Sequence, residues 1–158
     1  MERPVLVTVI DEQAGRAAPS ALAETFEALL ADADKGRFLK LLGIGRFSLR
    51  AKSRMEPVFT ALCAGLWKLA MRRLCPEQCE AACEIWQDAQ WKRIKDADSL
   101  MVLVRDVAGH LPEQGGEDFT PAARDMFARA GKEPDQAELV GMALFLRRLY
   151  DHFFNHII

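Results

Sequence analysis

The chain has 158 residues, half of them hydrophobic and 28% charged, with a net charge of −2 at pH 7. Such a composition excludes a disordered chain, and no global charge draws the whole molecule to nucleic acid or to a membrane. The longest apolar runs fall far short of the ~20 residues of a membrane helix, and the start, Met1-Glu2-Arg3-Pro4, is too weakly basic for a secretory signal. The expectation is a cytoplasmic protein with one helical domain over residues 1–158 and no membrane partner. Residues 1–18 are read as an N-terminal strand and linker.

Residues 5–10, VLVTVI, are a short β-branched run that reads as a strand. Gly15 to Pro19 is a linker. Ser20 is a candidate N-cap for a helix in which Leu22, Phe26, Leu29, Leu30 and Ala33 recur at helical spacing. Asp32 to Gly36 closes or bends that helix. Phe38, Leu39, Leu41 and Leu42 then make a short apolar turn, ended by Gly43 and Gly45.

Residues 46–55, RFSLRAKSRM, alternate. Arg46, Ser48, Arg50, Lys52 and Arg54 fall on one side, and Phe47, Leu49, Ala51 and Met55 on the other, with Ser53 breaking the pattern. Period two predicts a half-buried strand with a basic outer face, which VLVTVI could pair with. Helical spacing is the competing reading, since Arg46, Arg50 and Arg54 also lie four apart.

From Pro57, read as a first-turn proline, a helix almost surrounded by apolar residues runs to Leu74, with Lys68, Arg72 and Arg73 in its last turns. Pro76 stops it and opens another, lined on one side by Cys79, Ala82, Cys83 and Trp86. Asp98 or Ser99 can cap a helix carrying Leu100, Leu103, Val104, Val107 and Leu111. Pro112 to Gly116 is a loop, and Thr120-Pro121 opens a short helix through Met126 and Phe127. Gly131 to Pro134 is a turn, and Asp135 can cap a last helix that runs nearly to Ile158. The fold class is mainly α: a bundle of about six helices, with a small two-stranded β-ribbon of residues 5–10 and 46–54.

Four features carry the functional reading. Between Lys35 and Arg73 there are ten Lys or Arg residues and one acid, Glu56. Arg46, Arg50, Lys52 and Arg54 on one ribbon face would bind an anion such as nucleic acid, because arginine forks suit phosphate oxygens. The plainer reading pairs these cations with the protein's own acids. Second, Cys75, Cys79 and Cys83 recur every four residues, and Cys63 lies on the preceding helix. Four thiolates can hold zinc or an iron–sulfur cluster, but the tight pair spacing of such sites is missing, and buried thiols in a helix contact are the plainer reading. Cys75, at a helix start, is the candidate reactive thiol. Third, His152 and His156 stand at a spacing that can bind a metal, with no supporting motif.

Fourth, the last helix carries a broad stripe of Leu139, Met142, Ala143, Leu146, Leu149, Tyr150, Phe153 and Ile157, with Leu144, Phe154 and Ile158 outside it. One core face does not easily bury both sets, so those three are candidate interface residues for a homodimer or a partner protein. Glu133-Pro134-Asp135 before this apolar helix resembles a motif of the helical chaperones that mature redox enzymes. Gln136 stands where that family usually has histidine, and those proteins continue past this helix; the likeness is confined to three residues and is set aside. No catalytic constellation and no cofactor motif is present. The sequence therefore predicts a non-enzymatic interaction or adaptor module that self-associates through its last helix. A nucleic-acid-binding protein and a cysteine-ligated metal or iron–sulfur protein are the alternatives.

Overall fold

Seven helices carry the chain through residues 18–112 and 118–157, the part that this computed structural model describes. They are α1 (Pro19–Asp32), α2 (Lys35–Leu41), α3 (Leu49–Leu74), α4 (Pro76–Arg93), α5 (Ala97–Ala108), α6 (Thr120–Arg129) and α7 (Gln136–His156). The mainly helical expectation holds, with one helix more than about six.

The helix starts follow proline and aspartate chemistry, several at positions other than those predicted. Pro19 opens α1 with Ala18 as its N-cap, so Ser20 sits inside the first turn rather than capping it. Proline's fixed φ and missing N–H suit that first position. Asp34 caps α2 by accepting from the Arg37 N–H at 3.0 Å. Asp96, not Asp98 or Ser99, is the N-cap residue of α5; Ser99 Oγ donates to Asp96 Oδ1 at 2.8 Å. At α7 the expected cap is a full capping box. Asp135 accepts from the Glu138 N–H at 2.8 Å, and Glu138 accepts from the Asp135 N–H at 3.2 Å. Lys132 and that N–H hold the Glu138 carboxyl below its usual value.

The predicted strand at 46–54 is not a strand. Arg46 lies in a turn and α3 begins at Leu49, so Pro57 falls inside a continuous helix instead of opening one. Among the described residues there is no strand, and residues 5–10 lie outside them. The reason is packing. In a helix Met55, Val58, Phe59 and Leu62 share one buried face, whereas the alternating set would have buried Phe47 and Leu49, both strongly exposed here. A helix also satisfies its own backbone groups without a partner strand.

Helix α3 is central. It packs against α1, α2, α4, α5 and α7, and α7 in turn packs against α1, α2 and α6. Cys75 ends α3 and is the N-cap residue of α4, and the two helices pack against each other. At Gly65 a Cβ would lie 3.7 Å from Ala108 of α5, in ordinary contact, and 2.9 Å from Cδ1 of Leu111 just past that helix, whose side chain would have to shift. At the centre, Phe26 stacks on Trp67 with ring centroids 4.3 Å apart and meets the edge of Trp86 at 5.3 Å. Phe153 of α7 closes the same cluster at 5.6 Å. Beside it lies a part-buried polar seam, where Glu27 accepts from Trp86 Nε1 at 2.8 Å and from Gln90 Nε2 at 3.0 Å. Among the described residues, no helix is long and apolar enough to cross a membrane.

Candidate functional site

An apolar concavity lies where the first half of α3 meets the α4–α5 corner. It holds about 460 Å³. Pro57 and Thr60 of α3, Leu100 and Leu103 of α5, and Ile94 of the corner line it. Its rim is polar. Lys35 Nζ and Glu56 Oε1 stand 3.5 Å apart on one side, and the Ser99–Asp96 hydrogen bond lies on the other. Pro57 explains one further property. A proline has no N–H to give to the carbonyl four residues back, so the Ser53 carbonyl lacks its normal helical partner. Ser53 also lines the groove. A ligand with a backbone N–H and a bulky apolar side chain would match both features. Ile94, 40% exposed, and Trp91, 52% exposed, add apolar surface near this corner.

The residues predicted from sequence are dispersed. Arg46 and Arg50 are exposed, Lys52 is half-buried, and Arg54 donates to the Ala130 carbonyl at 3.2 Å. The helix sends Lys52 to a different side from Arg50 and Arg54, so the single basic face of a ribbon does not exist. Leu144 is exposed. Phe154 is half-buried, between Tyr150 at 5.8 Å and the Arg73 guanidinium, which lies 5.6 Å above its ring. Ile158 lies outside the described residues. The terminal helix is thus covered largely by its own chain, with Val140 and Leu144 the large apolar side chains it leaves exposed.

The cysteines are all buried and unbridged. Among the described residues, no three His, Cys, Asp or Glu side chains converge as metal ligands. The two histidines turn to the backbone instead: His156 Nδ1 lies 2.7 Å from the His152 carbonyl, and His152 Nε2 lies 3.4 Å from that of Leu29.

The thiol most disposed to ionise is Cys79 rather than Cys75. The Cys83 thiol donates to it, and with Lys68 and Arg72 nearby its value falls from 9.0 to about 7 against the opposing effect of burial. The same hydrogen bond, with burial, pushes Cys83 up; burial raises Cys75 and Cys63. When protonated, Cys79 donates to the Lys68 carbonyl at 3.8 Å.

These directions fix a pH dependence of stability. Between pH 7 and 9 the unfolded Cys79 keeps a proton that the folded one has lost, so the thiol contributes stability that grows with pH. Above 9 the three raised thiols reverse the sign, because they keep protons that their unfolded counterparts lose. In urea denaturation, the advantage of the wild type over Cys79→Ser should widen from pH 7 to pH 9. A constant gap across that range would contradict the assignment.

The groove residues were not singled out from sequence. Pro57 reads locally as a first-turn proline, and Ile94 belongs to a corner whose geometry no local pattern announces. No protein-family model, curated protein or solved structure matches this chain.

Proposed function

We propose that this chain is a non-enzymatic helical interaction module that holds a segment of another protein in the groove between α3 and α5. The observation that carries the reading is the groove at Pro57, where an apolar floor adjoins Ser53, the residue whose carbonyl Pro57 deprives of its helical N–H partner. Apolar concavities with a few placed polar groups are the usual form of a binding site. A backbone acceptor beside an apolar pocket suits a peptide, which brings both an N–H and a side chain. Self-association through α7 gains less support, because Phe154 packs against its own chain.

Selection of a random peptide library against the chain tests this. Selected peptides should carry a bulky aliphatic or aromatic residue and should shift the amide resonances of Ser53, Thr60, Ser99 and Leu103. Ile94→Asp should weaken them by about tenfold or more, equivalent to about 1.4 kcal/mol, while Leu144→Asp should not. Resonance shifts confined to α7 would move the binding surface there and overturn the reading.

A further inference from the structure

We propose that the α2–α3 connection, Gly43 to Arg50, is a docking tip for an anionic lipid bilayer. This inference does not depend on the groove.

The tip begins with a fixed turn. Gly43 has φ +74°, in the left-handed region that glycine favours, and reverses the chain after α2. The Gly43 and Ile44 N–H groups close back on the carbonyls of Lys40 and Leu39, both at 2.9 Å, and Ser48 N–H closes on Gly45 at 3.1 Å. Ile44 is half-buried against the core. The turn therefore has an inward apolar anchor, and Phe47 and Leu49 are left outside.

Their exposure is the central observation. Phe47 is 89% exposed and Leu49 71%, more than any other large apolar side chain among the described residues. Exposed Arg46 and Arg50 flank them. From Lys35 to Arg54 the sequence carries seven Lys or Arg and no acid. Two of those cations are engaged elsewhere, Lys35 with Glu56 and Arg54 with the Ala130 carbonyl. Arg46 and Arg50 stay at the tip. The N-terminus of α3 adds to the field: Ser48 makes no side-chain cap bond, so first-turn N–H groups stay open to an anion beside two arginines.

Apolar side chains between cations match a bilayer surface, where Phe and Leu enter the acyl boundary while Arg and Lys meet anionic headgroups. Nucleic acid would use the cations, but Leu49 has no ring face to stack on a base and would stay exposed. The near-neutral net charge that argued against a membrane partner averages out this local excess.

The test is co-sedimentation of the full chain with phosphatidylcholine vesicles, with and without phosphatidylserine, alongside a DNA duplex and polyglutamate. Binding is expected to the phosphatidylserine vesicles alone. A Phe47→Ser, Leu49→Ser double variant should lower it by about tenfold or more, and so should Arg46→Gln with Arg50→Gln. Both pairs are exposed, so circular dichroism and the thermal midpoint should hold, and loss of binding will report the surface rather than the fold. The proposal fails if phosphatidylserine vesicles are not bound at low salt, or if binding ignores Phe47 and Leu49. Equal binding of the duplex, sensitive only to the arginines, would assign the tip to nucleic acid; equal binding of polyglutamate would assign it to acidic protein segments. Either result overturns the lipid assignment.

Discussion

Phe26→Ala is expected to lower the free energy of unfolding by about 3–5 kcal/mol, the usual cost of removing a fully buried aromatic ring. The ring is completely buried and meets the rings of Trp67, Trp86 and Phe153 together. Its loss would leave a void bounded by α1, α3, α4 and α7, and the Trp86 indole cannot rotate into that space without breaking its hydrogen bond to Glu27. Phe26→Leu, which keeps most of the volume, should cost clearly less. Urea denaturation of the three proteins gives the comparison. A loss below about 1 kcal/mol for alanine would mean that the cluster collapses freely and is not the keystone of the core.

Glu27→Ala should cost about 1–3 kcal/mol through a different mechanism. Glu27 accepts from Trp86 Nε1 and Gln90 Nε2, and Gln90 is a buried polar side chain. Alanine would leave the donors of two buried residues, Trp86 and Gln90, without their protein acceptor, and an unmatched donor costs stability. The 3.5 Å pair with Arg93 adds little, since the guanidinium is well exposed. Glu27→Gln keeps a side-chain oxygen in place and should recover most of the loss. If glutamine were as damaging as alanine, the carboxylate charge rather than the hydrogen bonds would be holding α1 to α4. The two predictions separate shape from polarity at one contact, because Phe26 and Glu27 are neighbours on α1 that face the same helix.

Much of the helical framework was legible because it depends on local chemistry. Pro76 marks a helix boundary wherever it occurs, and Asp135 three residues before Glu138 is a start signal in any context. The apolar spacing of Leu139, Met142, Leu146, Leu149 and Phe153 places one face inside, and all five are buried. Residues 46–55 read equally as strand or helix because polar or basic residues stand at every second position and arginines at every fourth, which satisfies both periods. What decides between them is whether the segment continues into Val58, Phe59 and Leu62, a continuation that Pro57 disguises. A proline inside a long helix is tolerated only where packing compensates for the missing bond, and that is a tertiary condition.

The candidate sites were legible only in part. The basic excess around Arg46 and Arg50 stands in the sequence, but its meaning depends on Phe47 and Leu49, which the alternation assigned to the interior. The cysteine spacing suggested a reactive thiol at the helix start, yet ionisation depends on which thiol receives a hydrogen bond and meets Lys68 from the neighbouring helix. That partner is chosen by how α3 folds back on α4.

By itself, then, the sequence determined a helical chain, most of its breaks, the buried face of its last helix and a local excess of positive charge. Each rests on interactions within about four residues, where backbone geometry leaves few options. Tertiary structure decided which apolar residues have no room inside, which thiol ionises, and that Pro57 lies beneath a groove instead of at a helix start. Those outcomes depend on competition for one core among helices distant in sequence. Phe47 and Leu49 were left outside by that competition, while Ile44, three residues before Phe47, was half taken in.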